Sequence, residues 1–82
     1  MARLILSKTA EKNFSKLSVK DRKKVTKKLR FLESDPMSGK KLLGELKGFF
    51  SLRAWPYRII YELKGPKKII VHHISHRQQA YK

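Results

Sequence analysis

Apolar residues recur at two different spacings along the chain, and the change falls near its middle. Residues 3–7, Arg-Leu-Ile-Leu-Ser, are rich in strand formers and read as a short strand bounded by Ser7. Ala10, Phe14 and Leu17 follow at steps of four and three, the spacing that lines one face of a helix, with Thr9 as the expected cap. Ser18 opens a second helix. Asp21 lies three residues on, a weaker relative of the capping box. Val25, Leu29 and Leu32 repeat the four-and-three step. Pro36 disfavours helical backbone at the residue before it, so this helix is expected to stop near Ser34–Asp35. Met37-Ser38-Gly39 is loop, and the two helices are expected to form a short antiparallel hairpin.

From Leu42 the period shortens. Leu46 to Arg53, with Phe49, Phe50 and Leu52, reads as a strand, and Ala54-Trp55-Pro56 as a turn or sheet-edge break. Tyr57, Ile59, Tyr61 and Leu63 alternate with Arg58, Ile60 and Glu62. Lys64-Gly65-Pro66-Lys67 is a strong turn signal. Lys68 to Ile74 is a further strand, with Ile69, Val71 and His73 on one face and Ile70, His72 and Ile74 on the other. The expected fold is α+β: an N-terminal strand, a two-helix hairpin and a three-stranded antiparallel meander, a compact sandwich with the helices on one face of the sheet.

Composition narrows the function. The chain has 82 residues and is read as one domain spanning 1–82. It has no cysteine, which excludes disulfide chemistry, thiolate chemistry and zinc ribbons. Lys and Arg number 21 against 6 Asp and Glu, a formal net charge of +15, while 40% of residues are hydrophobic, enough for a core. Such a charge on so small a domain attracts polyanions: nucleic acid, an acidic protein or an anionic membrane surface. No apolar run approaches the ~20 residues of a membrane span. The apolar stretch at the N-terminus falls short of the roughly 7–15 residues of a secretory signal. The expected location is the cytoplasm.

The second helix carries Lys20, Lys23, Lys24, Lys27 and Lys28, with like charges four residues apart, an arrangement that weakens an isolated helix by a few tenths of a kcal/mol per pair. Read with the whole-domain charge, these lysines are phosphate contacts, which give affinity and not sequence choice. The acidic residues Glu11, Asp21, Glu33, Asp35, Glu45 and Glu62 form no paired-carboxylate motif of the kind that holds two catalytic metals, so neither a metal nor another cofactor is expected. On a regular strand His72 and His73 point to opposite faces and share no ion. His76 sits at the strand end beside Arg77, where a neutral imidazole accepts a proton, which makes it a candidate general base. Arg53, Arg58, Arg77 and Tyr81 are the remaining constellation, one that a meander brings to one sheet face unless the arginines are merely scattered on the surface. Trp55, and after it Tyr81, is the aromatic expected to stack on an unpaired base, with closure of the core edge an equal reading for Trp55.

Leu46-Lys47-Gly48-Phe49-Phe50-Ser51-Leu52-Arg53, then Tyr57-Arg58-Ile59-Ile60-Tyr61, then Ile74-Ser75-His76-Arg77 and Tyr81, resemble the RelE/ParE superfamily of bacterial and archaeal toxins. The resemblance covers almost the whole chain. It implies the toxin of a type II toxin–antitoxin module and, for RelE-type members, a ribosome-dependent mRNA endonuclease that works without metal by attack of the RNA 2′-hydroxyl on the adjacent phosphate. By that resemblance Arg58 holds the phosphate, Arg77 assists the transition state or the leaving group, Tyr81 stacks on or orients the RNA, and Arg53 supports. Where the best-known RelE centre has two lysines, this chain has Phe49 and Ser51, so Lys47 and His76 are substitutes for the base. The implied partners are mRNA in the ribosomal A site, ribosomal RNA and an acidic antitoxin, bound as a heterodimer or heterotetramer. ParE-type relatives share the scaffold and poison DNA gyrase without a nuclease site. A plain basic RNA- or ribosome-binding module is the third reading.

Overall fold

The computed structural model describes residues 3–42 and 48–76. In chain order the elements are β1 (Arg3–Leu6), α1 (Lys8–Ser15), α2 (Val19–Ser34), β2 (Lys40–Lys41), β3 (Phe49–Ala54), β4 (Tyr57–Leu63) and β5 (Lys68–His76). The strands form one five-stranded mixed sheet in the order β1-β5-β4-β3-β2. The antiparallel meander β3-β4-β5 is its centre. β1 joins it in parallel with β5, Leu4 beside Ile69 and Leu6 beside Val71. The two-residue β2 adds an edge, Lys40 opposite Ser51. Neither addition is visible in the period: a parallel partner lies far away in sequence, and two residues carry no alternation.

Both helices start on serine caps. Ser18 Oγ accepts from the Asp21 N–H, as the spacing predicts. For α1 the cap is Ser7, not Thr9: Ser7 Oγ accepts from the Ala10 N–H at 3.1 Å and donates to the His72 carbonyl at 3.0 Å. The strand therefore passes into the helix one residue after Leu6, and a single hydroxyl fixes both the helix start and its junction with β5. α2 ends at Asp35, just before Pro36.

The helices lie on one face of the sheet. Ala10, Val25, Leu29 and Leu32 meet Phe50, Leu52 and Ala54 of β3, Ile59 and Tyr61 of β4, and Ile69, Val71 and Ile74 of β5. Burial of a large apolar side chain contributes roughly 1.5–3 kcal/mol, so this layer carries most of the stability. Tyr61, fully buried, donates its hydroxyl to the Pro36 carbonyl and accepts from the Gly39 N–H, which ties the end of α2 and the following loop to the sheet. Gly65, at φ +72°, makes the β4–β5 turn with the left-handed backbone that favours glycine.

One prediction of the period is corrected. β4 pairs Tyr61 with Val71 but Ile60 with His73, a bulge that drops His72 out of the ladder. Beyond it the alternation is reversed: Ile74 joins Ile69 and Val71 in the core, and His73 turns to the other side.

Candidate phosphate-binding site

The sheet face opposite the helices is built by alternation. β3 presents Phe49, Ser51 and Arg53; β4 presents Arg58, Ile60 and Glu62; β5 presents Ile70, His73 and Ser75. The β3–β4 hairpin closes through Trp55-Pro56, a cis peptide bond, with Ala54 paired to Tyr57. The next pair outward is Arg53 with Arg58, two cations directly across the ladder, and Ser75 lies on the far side of Arg58. Like charges placed directly opposite are destabilising. A bound anion reverses that sign, because two guanidinium groups offer fixed forks of donors to phosphate oxygens.

A cleft of about 340 Å³ adjoins the pair, lined by Ser38, Lys40, Leu42, Ser51, Arg53 and Arg58. Lys40 comes from β2, the edge strand that the alternation of the sequence does not announce. Its ammonium adds a third cation to a pocket that, among the described residues, contains no carboxylate. The cleft is suited to an anionic ligand.

Two neighbouring clusters frame it. On the open face the bulged His72 stacks on Phe49, ring centroids 4.8 Å apart, and its Nε2 lies 3.0 Å from Glu62 Oε1. Glu62 also faces Lys64 Nζ at 3.8 Å. On the helix face Tyr57 donates its hydroxyl to Asp21 Oδ2 at 2.8 Å. That bond, with partial burial and the nearby carboxylate charge, holds the Tyr57 phenol above its ordinary value. His76 packs edge-on against the Tyr57 ring at 5.4 Å.

The structure therefore brings together Arg53 and Arg58 and separates others from them. His76 is on the helix-covered face, across the sheet from both arginines, because it pairs with Tyr57 and not with Arg58. Lys20, Lys23, Lys24, Lys27 and Lys28 are all exposed on α2, in the layer on the other side of the sheet from the cleft. Lys28 Nζ lies 6.0 Å from the Phe31 ring centroid. Trp55 is 57% exposed beside the arginine pair. Lys47, Arg77 and Tyr81 lie outside the described residues. Sequence reasoning missed Lys40 and His73. A two-residue strand leaves no signal for the first, and only the bulge turns the second to this face. Among the described residues no three of His, Asp and Glu converge as metal ligands, and no helix is long and apolar enough to cross a membrane.

Two helices on one face of a five-stranded mixed sheet form the fold of solved RelE toxins. Residues 4–81 match the family model of the ParE toxin of type II toxin–antitoxin system, parDE, and the chain belongs to this RelE/ParE superfamily of type II toxins. No curated protein matches it in sequence. Among solved structures it is similar to the toxin–antitoxin complex RelBE2 from Mycobacterium tuberculosis, at 26% identity and a TM-score of 0.85, covering 93% of this chain and 98% of that one. It shares its fold with the intact Escherichia coli RelBE complex (23% identity, 93% and 96% of the two chains, TM-score 0.77). It also shares it with the Staphylococcus aureus YoeB–YefM complex (18%, 93% and 97%, TM-score 0.76).

Proposed function

We propose that this toxin is a ribosome-dependent mRNA endonuclease that stops translation by metal-independent attack of an RNA 2′-hydroxyl on the adjacent phosphate. The observation that carries the reading is the Arg53–Arg58 pair opening onto a cationic cleft. Charge accumulates on the equatorial phosphate oxygens as the pentacovalent phosphorane forms. Preorganised guanidinium groups stabilise that charge without having to reorganise. Arg58 holds the scissile phosphate and Arg53, with Lys40, the neighbouring backbone. By family resemblance Arg77 assists the leaving oxygen and Tyr81 orients the RNA; Lys47, which matches no family position, adds a phosphate contact. Trp55 beside the arginine pair stacks on an unpaired base.

The α2 lysines serve a different contact. They lie on the other side of the sheet from the cleft, so one domain engages messenger on its open face and ribosomal RNA on its helical face. The partner that keeps the toxin silent is an acidic antitoxin, by analogy with the antitoxin-bound complexes above and by the charge of +15.

The test is primer extension on mRNA after brief induction. New 5′ ends within translated codons are expected, and Arg58→Ala and Arg77→Ala are expected to abolish them and restore growth while remaining folded. Undiminished toxicity in both folded variants would reject the site. The parDE family model favours a second reading, inhibition of DNA gyrase. Growth arrest without new RNA ends, together with inhibition of purified gyrase in a supercoiling assay, would establish it.

A further inference from the structure

The chain has three histidines, and the sheet places each differently. His72 is stacked on Phe49 and bonded to Glu62. His76 is packed against Tyr57 on the helix-covered face. His73 is exposed, and the bulge alone decides its direction. With Ile60 paired to His73 and Arg58 paired to Ser75, His73 stands one step along β5 from the partner of Arg58, on the same face. It closes the row Ser51–Ile60–His73 that runs directly beside the row Arg53–Arg58–Ser75. Diagonal neighbours across an antiparallel ladder are about 7–8 Å apart. Long side chains reach across that spacing, so the imidazole and the guanidinium project from adjacent rows of one face.

We propose that His73 is the general base of the reaction, taking the proton of the attacking 2′-hydroxyl; the inference rests on the cleavage reading above and names the group that reading leaves open. As the 2′-oxygen bonds to phosphorus, its proton passes to the His73 imidazole. The bond from phosphorus to the 5′-oxygen breaks, and that oxygen takes a proton from water. The products are a 2′,3′-cyclic phosphate end and a 5′-hydroxyl end, and the imidazolium returns its proton to solvent. Imidazole is the side chain whose ordinary titration spans neutral pH, which suits a base that must be free to accept and then release.

Among the described residues, few charged and titratable groups face His73. From β4 they are Arg58 and Glu62, the latter engaged by His72 and Lys64. From β5 itself there is His72, and one strand further Arg53. β1 ends at Leu6, opposite Val71, and its continuation at Ser7 reaches the His72 carbonyl through a hydroxyl. The substrate phosphate adds its own charge, which Arg58 and Arg53 neutralise.

The experiment is single-turnover cleavage of a ribosome-bound messenger by the full chain, measured from about pH 5.5 to 9. The set compares wild type, His73→Ala, His73→Gln, His76→Ala and Arg58→Ala. Both His73 variants are expected to fold and to bind ribosomes, since the side chain is exposed, and to cut at least ~100-fold more slowly. The rise in rate through the imidazole range is expected to vanish in His73→Gln, and added imidazole to restore part of the rate of His73→Ala. His73 variants within a few fold of wild type, beside an inactive Arg58→Ala, would overturn the inference and leave the cleavage reading standing. A slow His73 variant that keeps the wild-type pH limb and ignores imidazole would make His73 structural, and loss of the limb in His76→Ala instead would move the base to His76; either overturns it. A wild-type chain that cuts nothing removes both the reading and the inference.

Discussion

Arg53 and Arg58 stand directly opposite one another across the β3–β4 ladder, on the face of the sheet that the helices leave open. Like charges directly opposite one another work against the stability of a sheet. Arg53→Thr, which restores a strand former at an exposed position, is therefore expected to fold at least as stably as wild type, with a gain of about 0.5 kcal/mol at low salt. The gain is expected to shrink as salt screens the repulsion. Urea midpoints at two ionic strengths check this, and a loss of stability in both would show that the pair is held together by something other than function.

The caps give a sharper structural test. Ser7 and Ser18 each accept a helix N–H, but only Ser7 also bonds a strand carbonyl. Ser18→Ala is expected to cost about 1 kcal/mol. Ser7→Ala is expected to cost more, ~2 kcal/mol, since the His72 carbonyl loses its donor as well. Thr9→Ala should be close to neutral. A cost at Thr9 equal to that at Ser7 would contradict the cap assignment.

At the bottom of the core, Gly39 leaves no space for a side chain: a Cβ there meets the hydroxyl end of Tyr61. Tyr61 is fully buried and cannot swing away without losing its bonds to Pro36 and Gly39. Gly39→Ala is expected to destabilise by about 2 kcal/mol or more. Tyr61→Phe, which strips the hydroxyl and leaves the Gly39 N–H and Pro36 carbonyl without it, is expected to cost ~1–3 kcal/mol. Chemical denaturation of the two variants measures both.

The same tyrosine sets an alkaline limit. Burial raises the Tyr61 phenol above 10.0, and the Asp21 bond raises Tyr57. Above that value the unfolded chain gives up its phenol protons first and binds fewer than the folded one, so stability falls as pH rises through 10.0 and beyond. Below it the contribution is fully present. Tyr61→Phe is expected to flatten this limb of the pH–stability curve relative to wild type. An unchanged slope would mean that the phenol is not protected by the fold.

Much of the architecture was legible before folding. Local features were enough for the presence of two helices, the Ser18 cap, the Val25, Leu29 and Leu32 core face of α2 and its end at Asp35, because a 3.6-residue period, a serine cap and a proline each act within a few residues of themselves; in α1 the cap moved to Ser7 and Leu17 fell beyond the helix end at Ser15. The β4 alternation and the Gly65 turn are equally local. The Arg53–Arg58 juxtaposition was legible in part: two arginines flanking a Trp-Pro turn meet if the turn closes a hairpin, but the residues alone left scattered surface arginines as an equal reading.

Tertiary structure decided the rest. β1 pairs in parallel with a strand that follows it by more than sixty residues, and no local period encodes such a partner. β2 exists only because β3 offers it an edge, and through it Lys40 reaches the cleft. The bulge at His72 reversed the phase of β5: the alternation groups His73 with Ile69 and Val71, whereas in the structure Ile74 joins them in the core and His73 turns to the other face. The sequence by itself determined a small, strongly basic α+β chain with helix faces, strand faces and a set of arginines. The β3–β4 and β2–β3 pairings decided that Arg53, Arg58 and Lys40 meet, and one extra residue in β5 turned His73 to their face, because alternation has a period of two and any insertion exchanges inside for outside.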